Sequence, residues 1–255
     1  MTPELPGLAV LTWVLLVFLA AGFVHGALGF GFPIVATPLV ALATDAKTAI
    51  ILIAPVTFLV CLLSLLRGGG VTEALRRYAY LPLAMMLGTF LGTRFLIAVR
   101  PEPFLLVLAV MIAVWLVLDR FRPQAFSPAQ RHPVAFGLAF GVTGGLFEAT
   151  ANVAAPTLLI YFMLLGLPPL SIVQALNLCF LAGKVSQIGT WVAFGDVPGT
   201  MWGAACAAAL PATAALYAGM RLRERIDAAT YRRWLRGALA ALAGLLVVQY
   251  LRLQG

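Results

Sequence analysis

Two long apolar stretches of this 255-residue chain are each interrupted by glycine and proline. The first holds His25-Gly26-Ala27-Leu28-Gly29-Phe30-Gly31-Phe32-Pro33 and runs on to Pro38. The second holds Gly144-Gly145-Leu146-Phe147-Glu148-Ala149-Thr150-Ala151-Asn152 and runs on to Pro156. Placing Gly26 on Gly144 puts Leu28 on Leu146, Val35 on Val153, Ala36 on Ala154 and Pro38 on Pro156 without a gap. A broken helix frees backbone N–H and C=O groups, which a bilayer tolerates only against protein or a wet cavity. Paired Gly/Pro-broken segments at matching places in two halves therefore point to a transporter's binding site. The breaks are expected at Pro33, Pro38, Gly144 and Pro156.

Such a reading requires a membrane, and the composition supplies one. The chain is 62% hydrophobic and 10% charged, where a soluble domain has roughly 45–50% and about 25%. Apolar runs of about 18 residues or more, long enough for transmembrane helices, recur along its length. The net charge of +8 would suggest nucleic acid in a soluble protein. Here the arginines sit mostly in short connections between apolar runs, where they suit lipid headgroups, and nucleic acid is excluded as a partner. Cys61, Cys179 and Cys206 lie inside apolar runs without metal-ligand spacing and read as small buried hydrophobes. The first run has no basic residue before it and no clear cleavage site, so it reads as a retained helix.

The apolar pattern predicts an all-α bundle of about eight spans, four in each of two related halves. Residues 1–118 form the first repeat, 119–132 a linker loop and 133–255 the second repeat. The run from about 7 to 43 is too long for one helix and splits near Gly29–Pro33 into a span and a shorter, re-entrant piece. Spans follow at 46–66, 78–98 and 103–118. A second broken run covers 133–166, and spans near 169–194, 199–220 and 234–251 complete the set. Gly92-Thr93-Arg94 and Gly219-Met220-Arg221 form a second internal echo. Gly88 and Gly92 share a helix face and allow close helix approach.

Polar residues that lipid should exclude mark the candidate site. Lys47 sits beside Asp45 at a helix end and can snorkel. Lys184 is mid-span, where an unpartnered charge costs at least about 2.5 kcal/mol. Gln174, Asn177, Lys184 and Gln187 are spaced three, seven and three apart, so they share one helix face. This stripe lines a cavity or, alternatively, only bonds helices together. Glu148 is the one acid of nine deep in an apolar run, four residues before Asn152. Three roles compete for it: counter-ion to Lys184, proton carrier, or direct substrate contact. His25 stands at the first break and is a structural residue or a proton switch. Substrate contacts are expected from Lys184, Asn177, Gln187, Gln174, Asn152, Gly29 and Gly31, with Glu148 and His25 as proton-coupling or counter-ion groups. Half-helix N-termini suit oxyanions. No nucleotide-binding, metal or catalytic motif is present, so the chain reads as a non-enzyme with no cofactor.

The run Gly26-Ala-Leu-Gly29-Phe-Gly31-Phe-Pro33 to Pro38, its echo over Gly144–Pro156 and Gly88-x-x-x-Gly92-x-Arg94 resemble the sulfite exporter TauE/SafE family of bacterial permeases. The resemblance covers nearly the whole chain. It implies a multi-pass inner-membrane permease of two related halves that moves small anions such as sulfite, sulfonates or sulfoacetate. Where that family usually breaks its second segment with glycine, this chain has Phe147-Glu148-Ala149-Thr150-Ala151-Asn152. Expected partners are a small anionic solute and the lipid bilayer, with homo-oligomerisation left open. The competing functions are an ion channel and a cation/proton-coupled exchanger using Glu148.

Overall fold

The computed structural model describes residues 7–68, 76–99, 127–223 and scattered positions between 225 and 248. Among them every regular element is a helix: α1 Leu8–Leu28, α2 Phe32–Ala41, α3 Ala46–Gly68, α4 Tyr80–Ala98, α5 Ser127–Arg131, α6 Pro133–Ala151, α7 Ala155–Leu165, α8 Pro169–Phe194 and α9 Gly199–Arg223. Six of these, α1, α3, α4, α6, α8 and α9, are long and apolar enough to cross a bilayer, while α2 and α7 are shorter apolar helices. The span expected at 103–118 lies outside the described residues, as do most of the span at 234–251 and most of the 119–132 linker. Residues 127–131 of that linker form α5.

The two broken runs are hairpins of a long helix and a short one. After α1 the chain turns at Gly29 (φ 85°) and Gly31 (φ 112°), left-handed values that favour glycine. It returns as α2 along α1, where Trp13 Nε1 donates to the Leu39 carbonyl at 2.9 Å. The second hairpin turns at Asn152 (φ 57°), the one non-glycine residue with positive φ among the described residues. Asparagine is among the few side chains that tolerate this region. α7 then runs back along α6: the Leu158 side chain lies against Gly144, and Tyr161 Oη donates to the Pro133 carbonyl at 2.9 Å. Pro33 and Pro156 each occupy the second position of the returning helix, where a missing N–H costs nothing.

Pro38 and Gly144 do not break helices. Pro38 is buried inside α2, and Gly144 lies within α6 eight residues ahead of the turn. The interruptions fall at Gly29–Gly31 and Asn152–Ala154, so in the structure Pro33, not Pro38, corresponds to Pro156.

Glycines also set the helix crossings. A Cβ on Gly26 would strike the Leu216 carbonyl, the Met220 nitrogen at 2.8 Å and Gly219 Cα at 3.0 Å. A Cβ on Gly145 would strike the Met85 carbonyl, the Thr89 nitrogen at 2.6 Å and the Gly88 carbonyl carbon at 2.9 Å. The trios 216, 219, 220 and 85, 88, 89 have the same spacing, so α1 crosses α9 as α6 crosses α4. Such backbone contact is how membrane helices gain packing where apolar burial offers none. Gly219 therefore plays the part of Gly88, and the sequence echo that set it on Gly92 is four residues out of register. Gly29 comes three residues after Gly26, and Asn152 seven after Gly145. The difference is about one helical turn, which is why an ungapped match of the two runs slips.

The direction of each hairpin follows from these contacts. The chain doubles back between α1 and α2 and again through the short Leu42–Asp45 turn, so α3 runs with α1. Lys47 Nζ near the start of α3 donates to the Ile97 carbonyl near the end of α4 at 3.4 Å, so α4 runs against α3. At their crossing α6 runs with α4, since Leu81 and Ala84 meet Gly141 and Gly88 meets Gly145. The two long hairpin helices, α1 and α6, thus run in opposite directions. Between their turns stands α8. Phe30 and Ile34 beside the first turn share an apolar cluster with Val153, Ala154 and Ala155 of the second and with Ala175, Leu176, Cys179 and Phe180 of α8.

One smaller reading changes: Cys206 is exposed on α9, while Cys61 and Cys179 are buried as expected.

Candidate functional site

The polar stripe of α8 divides between the two turns. Asn177 serves the first. Its Nδ2 donates to the Gly29 carbonyl at 2.7 Å and to the Val173 carbonyl at 2.9 Å, so its Oδ1 faces His25 Nε2 at 3.1 Å. The Phe32 N–H at the start of α2 donates to His25 Nδ1 at 3.3 Å. An acceptor on one side and a donor on the other fix His25 as the neutral tautomer with its proton on Nε2. In this conformation His25 is a satisfied crosslink between α1, α2 and α8.

Lys184 and Gln187 serve the second turn, seven to ten residues further along α8, or about 10–15 Å. Lys184 Nζ lies 2.7 Å from Glu148 Oε1, 2.7 Å from Asn152 Oδ1 and 2.7 Å from Gln187 Oε1. Two of these contacts, to Asn152 and Gln187, are hydrogen bonds and the third, to Glu148, is an ion pair, so the ammonium's charge and its polar contacts are taken up by protein. Glu148 Oε2 accepts the Ala154 N–H at the N-cap of α7 at 3.2 Å. Gln187 Nε2 reaches the Glu148 and Ala149 carbonyls at 3.4 and 3.3 Å. Lys184, Glu148, Asn152 and Gln187 are each 0% exposed. The cavity expected from the stripe is replaced here by a closed, charge-neutral cluster, because the counter-ion comes from the protein itself.

His25 and Glu148 occupy corresponding places. Each lies four residues before the left-handed residue that ends its helix, Gly29 or Asn152. Each accepts a backbone N–H at the mouth of the short helix that follows. A neutral ring fills one position and a carboxylate the other.

Gly29 has a definite role through its carbonyl and its bare Cα. A Cβ there would meet Val173 at 2.7 Å and the Arg223 guanidinium at 3.0 Å. Gly31 supplies the N-cap of α2. Gln174 stays apart from Lys184, next to Gly68 at the end of α3. Its Oε1 is buried with no bonding partner among the described residues.

Asn152 Nδ2 has no partner among the described residues, and neither do Thr157 Oγ1, Thr57 Oγ1 and Thr89 Oγ1, three buried hydroxyls that were not singled out in the sequence. Thr157 is in the first turn of α7 and Asn152 just ahead of that helix, so both unused donors belong to residues near its N-terminus, and Asn152 also bonds Lys184 through Oδ1. Nothing in the sequence separates these threonines from those that bond their own helix, since the difference lies in which carbonyls the crossing helices leave open.

Six bilayer-length helices among the described residues, with two reversed hairpins and a buried ion pair at one turn, define the class as a multi-pass helical membrane protein. The chain belongs to the sulfite exporter TauE/SafE family, whose model matches residues 14–246. It is thus a membrane transporter, a permease. Comparison with curated proteins and with solved structures finds no match for this chain.

Proposed function

We propose that the chain is a secondary permease for a small anion, namely sulfite, a sulfonate or a related organic anion, and that one proton accompanies it through Glu148. The family's name supports sulfur oxyanions as the substrate class. The observation that carries the coupling is that protein already neutralises Lys184: its ammonium is ion-paired with Glu148 and hydrogen-bonded to Asn152 and Gln187. An incoming anion must replace Glu148 as counter-charge. A proton on Glu148 cancels its negative charge and releases Lys184, so anion and proton enter the closed cluster together and its net charge stays at zero. A low-dielectric site favours such pairing, because an uncompensated charge there is costly. Asn152 Nδ2, Thr157 Oγ1 and the N-terminus of α7 supply neutral donors to the anion.

The opposed directions of α1 and α6 and the matched glycine crossings support two inverted repeats, 1–118 and 133–255, a plan in which one half rocks against the other around a fixed site. The arrangement suits the cytoplasmic membrane of a bacterium. The site is closed to solvent, which favours a carrier over a continuously open channel.

Proteoliposomes loaded with sulfite or sulfoacetate provide the test, with and without an imposed pH gradient. Wild-type efflux should rise with an outward proton gradient and fall with an inward one, Lys184→Met should abolish it, and Glu148→Gln should transport without responding to pH. Movement of a cation in place of any anion would refute the role of Lys184, and channel-like flux indifferent to Glu148→Gln would refute the coupling.

A further inference from the structure

Threonines on the described helices usually turn their hydroxyls back onto a carbonyl one turn earlier. Thr93, Thr143, Thr150 and Thr190 all do so, at 2.7–2.8 Å. Thr89 does not. Its Oγ1 is fully buried and has no partner among the described residues. The Met85 carbonyl that it would ordinarily take is pressed against Gly145 at the α4–α6 crossing.

Packing does not explain the hydroxyl. At the α1–α9 crossing the place of Thr89 is taken by Met220, whose nitrogen faces Gly26 as that of Thr89 faces Gly145. A threonine is therefore not a requirement of the crossing. What distinguishes the two crossings is the residue beyond: satisfied His25 on one side, Glu148 on the other. Thr89 Oγ1 and Glu148 Cγ lie 3.4 and 3.6 Å from a single point, the position of a Cβ on Gly183. Gly183 precedes Lys184, and the same point lies 3.0 Å from Met85 Cε, the end of a flexible side chain, so hydroxyl and carboxyl are separated there by a movable thioether and no backbone.

We propose that Thr89 is the proton-state positioning residue of the transporter: it receives the protonated Glu148 carboxyl when that side chain turns away from Lys184. The proposal rests on the proton-coupled reading above. No covalent bond changes. A proton binds Glu148, the carboxyl O–H donates to Thr89 Oγ1, and Lys184 is left with a free donor for the anion. The groups around Glu148 leave Thr89 as the hydrogen-bonding side chain on the α4 side. α8 supplies the Lys184 charge and the Gln187 amide. α3 contributes the Cys61 thiol, whose electrostatic neighbours are Glu148 and Lys184. α7 contributes one titratable side chain, Tyr161, which is bonded to Tyr80 and the Pro133 carbonyl. α4 has no titratable residue between Leu81 and Thr93.

Thr89→Val keeps the shape and removes the hydroxyl, and Thr89→Ser keeps the hydroxyl. Losing one hydrogen bond of about 1 kcal/mol that forms only in the protonated state lowers the pH midpoint of uptake by about 0.7 unit, roughly a fivefold weaker response to protons. The readout is sulfite uptake into proteoliposomes against external pH, with a trapped pH dye reporting co-transported protons. Thr89→Val should show the lower midpoint with the limiting rate at low pH retained, and Thr89→Ser should match wild type. If Thr89→Val inserts poorly, Thr89→Cys, which offers a much weaker acceptor, should give the same downward shift. A wild-type midpoint in either hydroxyl-free variant overturns the assignment of Thr89. An intact pH response in Glu148→Gln would instead overturn the underlying coupling, so the two failures are told apart.

Discussion

Lys184→Met preserves the length of the side chain and removes its charge, leaving Glu148 without its counter-ion. Nζ and Oε1 are 2.7 Å apart and both side chains are 0% exposed; at an effective dielectric near 20 their attraction is about 6 kcal/mol. Desolvating both groups offsets much of that attraction. The measurable cost comes instead from the stranded carboxylate, about 3–5 kcal/mol when one partner of a buried pair is removed. Its one remaining bond is to the Ala154 N–H at 3.2 Å. Adding Glu148→Gln removes the stranded charge, so the double variant should recover at least about 2 kcal/mol of that loss, as expected when both members of a buried pair are neutralised. The assay is equilibrium unfolding of wild type, both single variants and the double variant in detergent micelles at one pH, read as a double-mutant cycle. Additivity within about 0.5 kcal/mol would mean that the two charges do not feel each other. The argument that an anion must displace Glu148 would then fail.

The glycine crossings and the first turn give two further expectations. Gly26→Val and Gly145→Val each drive a side chain into backbone of the crossing helix and should cost about 1–3 kcal/mol or more, read as lower thermal stability; Gly203→Ala, which meets nothing within 4 Å, should stay within about 0.5 kcal/mol of wild type. His25→Gln should leave the pH profile of transport unchanged, since His25 is neutral in its cluster, while His25→Ala strands the Phe32 N–H and Asn177 Oδ1 and should lower stability by about 1–3 kcal/mol; a flattened profile in His25→Gln would return His25 to the proton path.

Much of this arrangement was legible in the sequence, and the parts that were not share a physical cause. Lys184, Glu148 and Asn152 stood out because lipid penalises them, and the structure brings all three together with Gln187. Their closure against one another could not be read from spacing, because a cavity lining and an internal ion pair present the same residues on the same face. Pro38 looked like a break because proline forbids an N–H. Its buried place inside α2 and the return of the chain at Gly31–Pro33 depend on tertiary packing against α1 and α3. The register of the two hairpins was misread by one turn because identity at Leu28, Val35 and Ala36 outweighed a four-residue difference that only the helix crossings reveal. Thr89 carried no signal at all, since its distinction is a carbonyl made unavailable by Gly145.

The contrast between the two turns explains why one side of so symmetrical a plan should carry the chemistry. Both turns need an acceptor for the first N–H groups of a short helix, and both need a partner on α8. At the first turn His25 and Asn177 meet these needs with neutral groups whose donors and acceptors all match. Adding a proton there would set His25 Nδ1–H against the Phe32 N–H, so the first turn resists a change of charge. At the second turn the same positions are held by Glu148 and by a lysine one heptad beyond Asn177. Their charges are paired with each other, and the pairing holds only while both persist. On the proposed coupling, a proton on Glu148 removes half of the pair and leaves Lys184 in want of an anion, with Asn152 Nδ2 and, in the first turn of α7, Thr157 Oγ1 already buried and unused. The first turn is built to stay as it is. On the proposed coupling the second alternates between two states, one closed by its own carboxylate and one closed by a solute.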